Sequence, residues 1–282
     1  MIILALSLAA LTGAIMKMLT AELEPVLVAW LRFVGYFSIL LPIAIWRTGW
    51  KAFAPPRPQI QVLRGVMLAI GNVAFIFGVQ NLDFENAIAI LYIYPFLMII
   101  LAPIFLGEKV VTSAWLGVVG GFTGVLLVMR PDPFDLDTNA MLIVLSGVMV
   151  SIQMIINRKL GVSVDPIVMS MWGGMAAMIC LIPFLPAVWV SPLDWPLGTL
   201  VLLAIISALA QTLMIMALAR ATAGSLAPFT YFEIVSGICL GLIMFGTWPD
   251  PLAWAGMMLI IISGIIVAKA QGQLVLRRRE KV

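Results

Sequence analysis

The chain has no histidine, two cysteines and few charges, since only 10% of its 282 residues are Asp, Glu, Lys or Arg. The absence of histidine excludes Ser-His and Cys-His nucleophiles, histidine proton relays and His-ligated zinc. Cys180 and Cys239 lie in apolar stretches and lack CxxC or metal-ligand spacing. We therefore expect no catalytic residues, no metal site and no cofactor.

Apolar sequence is abundant, with 63% hydrophobic residues and a mean hydropathy of +1.15. A membrane-spanning helix needs about 20 mostly apolar residues. Such stretches occupy residues 2–20, 26–46, 61–81, 87–106, 112–129, 139–157, 166–189, 197–219, 224–246 and 252–271. They predict an all-α integral membrane protein with ten transmembrane helices. The first stretch continues into Lys17 and Glu22, which favours a retained helix over a cleaved signal peptide.

The charged residues alternate between the connectors. Basic residues follow the second, fourth, sixth and eighth spans and the tenth, among them Arg64 and Arg277–Arg279. Acidic residues predominate in the other connectors. Lys and Arg concentrate on the cytoplasmic side of membrane proteins, so both termini are expected inside. The net charge of +3 then reflects topology, and we predict no nucleic-acid partner; a partner-binding role for the Arg277–Arg279 run is the alternative.

The second half of the chain resembles the first at an offset of 139 residues. Without a gap, Gly35 aligns with Gly174, Tyr92 with Tyr231 and Gly107 with Gly246. Each half contains five spans, and an odd number makes the second copy enter the bilayer inverted. The sequence therefore predicts two inverted five-helix repeats, 1–137 and 138–282. Such an arrangement is typical of transporters.

Few polar side chains lie at mid-membrane depth. The repeat pairs Asn72 with Gln211, Tyr92 with Tyr231, and Tyr94 with Glu233. Polar residues in a bilayer usually face the bundle interior, and inverted-repeat transporters bind substrate near the midplane. The predicted substrate-binding residues are Arg32, Asn72, Tyr92, Tyr94, Gln153, Trp172, Gln211, Tyr231 and Glu233. Residues two apart do not share a helix face, so only one of Tyr92 and Tyr94 should face a cavity directly.

Some of these residues have two interpretations. Glu233 is either a neutral acid bonded between helices or a group that binds a substrate ammonium or couples protons. Arg32 either extends toward the membrane surface or meets a substrate carboxylate. Pro95 and Pro228 interrupt the hydrogen bonding of their spans, which makes them candidate hinges, with a simple packing kink as the alternative.

The chain resembles the drug/metabolite transporter superfamily, and within it the EamA-type exporters. The resemblance is carried by Ala87–Ala89, Tyr94-Pro95-Phe96, Phe105–Glu108, Trp115–Gly117, Ala221–Glu233, Phe245-Gly246 and Gly256–Gly264. Two departures are Ile234, where the family has proline, and Thr247, where the first half has Glu108. The resemblance implies ten helices, amino-acid export by alternating access, and Tyr92 and Tyr94 near the substrate.

The predicted function is export of amino acids and related amphipathic metabolites across the cytoplasmic membrane of a bacterium. Small solutes and the lipid bilayer are the expected partners, with no obligate protein partner. No GxxxxGK[ST] segment is present, which argues against direct ATP use. One alternative is an exporter of hydrophobic cationic drugs. Another is an intramembrane lipid-linked transferase, for which Glu22 with Glu24, or Asp83 with Glu85, are candidate acid-base pairs, although we expect these charges to be solvated in connectors.

Overall fold

The computed structural model describes residues 1–107, 110–130, 137–160, 164–220 and 231–279. These residues form helices and connectors, with no β-strand among them. The α-helices are α1 (Ile2–Leu19), α2 (Pro25–Thr48), α3 (Pro58–Val79), α4 (Phe84–Leu91), α5 (Tyr94–Leu106), α6 (Thr112–Met129), α7 (Thr138–Leu160), α8 (Pro166–Leu181), α9 (Leu197–Arg220), α10 (Phe232–Leu240) and α11 (Pro251–Arg279). Short 3-10 helices occupy Gly49–Phe53, Ile182–Ala187 and Pro192–Asp194, and a π-helical turn, Gly241–Phe245, follows α10.

The helices coincide with the predicted spans. Eight helical segments in the described ranges are long and apolar enough to cross a membrane. Two shorter apolar helices, Ala114–Met129 and Phe232–Phe245, fall in the fifth and ninth predicted spans. Ten crossings and cytoplasmic termini stay predictions. The candidate hinge Pro228 lies outside the described residues.

Proline and glycine set several helix ends. Proline occupies the first turn of α2, α3, α5 and α8, where a missing N–H costs no hydrogen bond. The Asp165 carboxylate accepts from the backbone N–H groups of Ile167 and Val168 and caps α8. At the other ends, Gly107 and Gly246 adopt φ of 64° and 67°, a left-handed conformation that glycine tolerates best. These two glycines, equivalent in the repeat, thus each end a helical segment in a left-handed conformation.

The fourth predicted span is interrupted at its middle. Helix α4 ends at Leu91 and α5 begins at Tyr94, with Tyr92 and Ile93 in a turn between them. Pro95 has no N–H to donate to the Leu91 carbonyl, which removes one hydrogen bond of the ladder at this point. Pro42 and Pro103 lie inside α2 and α5 without interrupting them, so the proline favours the break without being sufficient for it.

The main helix contacts join the two halves of the chain. The most extensive contacts are α6 with α11, α3 with α7, α1 with α9, α2 with α8, α3 with α8, and α2 with α9. If each helix is replaced by its equivalent 139 residues away in the other half, every contact in this set becomes itself or another member of the set. The contact of α3 with α7, for example, becomes that of α9 with α1. The halves are consequently interleaved and do not form separate bundles.

The contact between α6 and α11 depends on glycine. A Cβ atom at Gly256 would lie 2.7 Å from the carbonyl oxygen of Gly124, and one at Gly124 would lie 2.8 Å from that of Gly256. The backbones therefore meet directly, as small residues allow between helices in lipid. Gly124 and Gly256 thus serve packing between two helices of one chain.

The outer surface of the bundle is strongly apolar. Large side chains such as Trp46, Ile104 and Leu116 are 85%, 70% and 74% exposed. A soluble protein rarely presents so extensive an apolar surface. Together with the apolar helices, this surface identifies an integral membrane protein, with lipid as its solvent.

Candidate functional site

A cavity of about 150 Å³ lies between helices of both halves. Residues of α1, α2, α3, α4 and α5 line it from the first half, and residues of α7, α9 and α10 from the second. Four methionines, Met16, Met67, Met154 and Met214, contribute soft apolar wall. The charged groups that line it are Arg32 and Glu233.

The structure brings most of the predicted binding residues to this cavity. Arg32, Asn72, Tyr94, Gln153, Gln211 and Glu233 all line it. Tyr92, Tyr231 and Trp172 are not among the lining residues. The indole Nε1 of Trp172 instead donates to the carbonyl oxygen of Ala52, 2.8 Å away, and joins α8 to the connector after α2.

Tyrosines surround Glu233, the one carboxylate that the described residues contribute to the cavity wall. Glu233 is buried, and its Oε2 accepts a hydrogen bond of 3.0 Å from the hydroxyl of Tyr92. The Tyr92 ring lies 5.3 Å from that of Tyr94 and 5.6 Å from that of Tyr231, between centroids. Tyr94 and Glu233 face the cavity, whereas Tyr92 and Tyr231 lie behind them. One residue of each pair faces inward, as the spacing predicts.

Arg32 lies on the cavity wall. Its Nε donates to the Ser207 hydroxyl at 3.0 Å, which links α2 to α9. Its guanidinium carbon is 5.3 Å from the centre of the Phe33 ring, within the range of a cation–π contact. Of the two predicted positions for Arg32, the structure has the one that faces the cavity.

Three amide side chains on the wall have unused hydrogen-bonding atoms. Asn72 Oδ1, Gln153 Nε2 and Gln211 Nε2 are buried and have no hydrogen-bond partner among the described residues. A buried polar atom without a partner is costly, so such atoms usually meet water or a ligand. Their position beside Arg32 and Glu233 makes this cavity the candidate binding site.

A second polar group, which the sequence analysis assigned to a solvated connector, is buried. Glu85 is only 1% exposed, and its Oε2 accepts a 2.9 Å hydrogen bond from the Thr247 hydroxyl. Lys17 donates to the Leu82 carbonyl and lies 5.0 Å from the centre of the Phe245 ring. The expectation of solvation was wrong for Glu85, because the π-helical turn after α10 packs against the start of α4. Glu22, Glu24 and Asp83 are exposed, as expected. Hydropathy alone gives no signal of that contact.

The position of Arg64 also differs from the prediction. It was assigned to the connector after the second span, yet it lies in α3 and is fully buried. The predicted span 61–81 already contained this position, and α8 covers the side chain, since a Cβ atom at Gly173 would lie 2.6 Å from Arg64 Nη2.

Comparison with known proteins settles the family. The profile described as the EamA-like transporter family matches residues 1–130 and again residues 138–269. The chain belongs to this family. Membership in the EamA-like family identifies a transporter of the drug/metabolite superfamily and argues against the transferase alternative.

Several proteins similar to this chain have names that refer to small solutes. The S-adenosylmethionine uptake transporter of Rickettsia conorii is 25% identical over 266 residues, covering 94% of this chain and 90% of that protein. The riboflavin transporter of Rhizobium johnstonii is 27% identical over 240 residues, covering 83% and 77%. A solved crystal structure shares the fold, with a TM-score of 0.63, 16% identity, and 99% and 98% of the two chains covered.

Proposed function

We propose that this EamA-family protein is a secondary transporter of amino acids and related zwitterionic metabolites, which it exports across the cytoplasmic membrane by alternating access. The observation that carries the proposal is the charge of the cavity wall. One carboxylate, Glu233, and one guanidinium, Arg32, line it together with neutral amides, tyrosine and methionine.

This set of groups complements an amino-acid head group. An ammonium pairs with a carboxylate, and a carboxylate accepts charge-assisted hydrogen bonds from a guanidinium. The amides of Asn72, Gln153 and Gln211 offer both donors and acceptors to the remaining polar atoms. The methionines accommodate side chains of varied shape. A multiply charged phosphate would need several cations, and the described part of this wall supplies one, Arg32.

The relatives support the same chemical class. S-Adenosylmethionine, named in the Rickettsia proteins, carries the α-ammonium and α-carboxylate of methionine. Riboflavin lacks that head group, so the Rhizobium relative supports a small-solute transporter only in general. The Rickettsia names refer to uptake, whereas we propose export for this chain.

Transport requires the cavity to change size and access. At about 150 Å³ the cavity is smaller than the roughly 300–1,000 Å³ of typical ligand sites, so an amino acid has to widen it. We infer that the repeats 1–137 and 138–282 rock against each other across ten spans, both termini being cytoplasmic. The backbone break before Pro95 offers one hinge for this motion.

The test is counterflow in proteoliposomes that hold the purified protein. Labelled L-phenylalanine and S-adenosylmethionine are compared in wild type, Glu233→Gln and Arg32→Gln, with Glu22→Gln and Lys51→Gln as matched controls of exposed charges. We expect saturable exchange in wild type and both controls. Each cavity variant should raise the KM at least tenfold, because about 1.5–3 kcal/mol is lost with a charged hydrogen bond.

Two results would contradict this proposal. The first is a wild-type protein that is folded and exchanges neither solute. The second is exchange of tetraphenylphosphonium that needs Glu233 and is indifferent to Arg32→Gln. That pattern would favour the exporter of hydrophobic cations, for which a single buried carboxylate suffices.

A further inference from the structure

We propose a second anion-binding subsite around Arg64, Tyr36, Gln61 and Ser170, which receives the acidic group of the substrate as it moves between the central cavity and the end of the bundle where α3 begins. The proposal rests on the transport function above and assigns a second contact on the transport path. The four side chains are 0%, 3%, 0% and 0% exposed.

The subsite continues the walls of the cavity. On α3, Leu68 and Gly71 line the cavity, and Arg64 lies one turn before Leu68 on the same helix face. On α7, Gln153 lines the cavity, and Asn157 lies one turn further along. On α2, Tyr36 follows Arg32 by four residues. Three walls of the cavity therefore lead directly into the group around Arg64.

Arg64 is a buried cation whose hydrogen-bond acceptors in the described part of the chain are neutral. Its Nη1 donates to Asn157 Oδ1 at 3.2 Å, and its Nη2 donates to the carbonyl of Met169. Its Nε has no hydrogen-bond partner in the described ranges, and the ion pairs found there are formed by Arg47 and Arg130. Buried charges are ordinarily paired with an opposite charge. An anion that arrives with the substrate would supply that charge.

The neighbours of Arg64 add donors. The hydroxyls of Tyr36 and Ser170 are close to each other, and neither has a well-formed hydrogen bond within the described parts of the chain. The amide of Gln61 is also unpartnered, both at Nε2 and at Oε1. The group thus combines one positive charge with several unused N–H and O–H donors, a combination suited to a carboxylate.

The subsite is closed in this conformation because α8 lies directly on α3. A Cβ atom at Gly173 would be 2.6 Å from Arg64 Nη2, and one at Gly65 would be 3.0 Å from the carbonyl of Gly173. Access to Arg64 therefore requires α8 to separate from α3. Each unpartnered buried atom makes the closed arrangement less favourable, and a bound carboxylate would compensate for several at once.

The experiment measures whether a cysteine placed in the subsite reacts faster with an anionic or with a cationic thiol reagent. Ser170→Cys is made in a protein with Cys180→Ser and Cys239→Ser, since these are the two native cysteines. In detergent, the protein reacts with anionic sulfonatoethyl or cationic trimethylammonioethyl methanethiosulfonate, each rate being divided by that of a small free thiol. The same cysteine is then measured with Arg64→Gln and with Arg64→Lys, both checked for folding by gel filtration.

We expect the anionic reagent to react faster, and Arg64→Gln to reduce the ratio of the two rates about tenfold or more, because a nearby unit charge acts strongly at low dielectric. Arg64→Lys should keep the preference. L-Phenylalanine should slow the anionic reagent, whereas L-phenylalaninamide, which lacks the carboxylate, should not.

The proposal is overturned if Arg64→Gln leaves the ratio unchanged, if the cysteine reacts with neither reagent in the folded protein, or if the amide protects as well as the amino acid. These outcomes are distinguishable from a failure of the proposed function. A wild-type protein without counterflow exchange disproves amino-acid transport, while the rate ratio still reports on the anion subsite.

Discussion

At the scale of residues, the cavity owes its polarity to divergence within the repeat. The equivalent positions Tyr94 and Glu233 both line the cavity, but one supplies a hydroxyl and the other a carboxylate. Arg32 has no basic counterpart, since the position 139 residues later is Met171. An approximately symmetric scaffold thus holds an asymmetric pair of charges. A zwitterion bound between them would have a defined orientation.

The hydrogen bond between Thr247 and Glu85 gives a prediction at the same scale. Thr247→Val removes the hydroxyl that donates to the buried carboxylate, so we expect a loss of about 1–3 kcal/mol in the free energy of unfolding. The measurement is unfolding by denaturing detergent. Thr123→Val is the control, because its hydroxyl bonds to Val119 of the same helix on an exposed face, and it should change stability by less than about 0.5 kcal/mol. Equal losses in both variants would contradict the assignment.

At the scale of elements, α6 and α11 form the most extensive helix contact of the described chain. Their close approach depends on Gly124 and Gly256, whose hypothetical Cβ atoms meet backbone and cannot be relieved by rotating a side chain. The α4–α5 break is the opposite case, where a backbone interruption directs Tyr94 into the cavity. Small residues therefore allow the α6–α11 contact, whereas the α4–α5 break positions a side chain of the cavity.

The glycine contact predicts a large effect of one methyl group. Gly256→Ala should lower the free energy of unfolding by about 1–3 kcal/mol, because the added Cβ forces the helices apart. Gly198→Ala in α9 is the matched control, since a Cβ there meets no atom within 4 Å. It should be neutral or gain up to about 1 kcal/mol from helix propensity. If the two variants have the same stability, the helices do not pack as described.

The ion pair between Arg130, after the last residue of α6, and Asp250, before the first residue of α11, should depend on pH. Arg130 hydrogen-bonds Asp250, which also caps α11, and these contacts lower the pKa of this exposed carboxyl to about 2. The stabilisation is present above the ordinary aspartate pKa near 4 and is lost as the pH falls toward 2. Asp250→Asn should therefore melt below wild type at pH 6, and the difference should disappear near pH 2.

The effect at Asp250 should be small, because the pair is exposed and screened by salt. Glu22→Gln, which removes an exposed carboxylate at another connector, should show no comparable pH-dependent difference. A difference for Asp250→Asn that persists at pH 2 would contradict the ion pair as its source.

At the scale of the whole molecule, the interleaved halves make the cavity a shared product. Helices of both halves line it, so neither half contains the candidate site alone. Relative motion of the repeats therefore changes the cavity directly, as alternating access requires.

The orientation in the membrane gives a prediction that a fusion protein tests. Green fluorescent protein joined after Val282 should fluoresce, and alkaline phosphatase at the same place should be inactive, because the basic tail is expected in the cytoplasm. Fusions after residue 136 should give the opposite pattern, since five spans precede that point. Active phosphatase at the C-terminus would show that the predicted topology is inverted.

The sequence alone determined the apolar helices, their order and the internal repeat. Apolar runs of about 20 residues have one stable form in lipid, so hydropathy is sufficient to place them. It also placed Asn72, Tyr94, Gln153, Gln211 and Glu233 among the candidate binding residues, because polar groups in a bilayer avoid lipid, and these five line one cavity. For Arg32 the sequence left two positions open.

Only the tertiary structure decided which polar residues are partners. Tyr92 bonds Glu233 from behind the cavity wall, Trp172 binds a connector, and Glu85 and Arg64 are buried although they lie near helix ends. Depth along a helix follows from sequence position, whereas the direction of a side chain and the helix that covers it follow from packing. That packing joins residues more than a hundred positions apart, which no local pattern records.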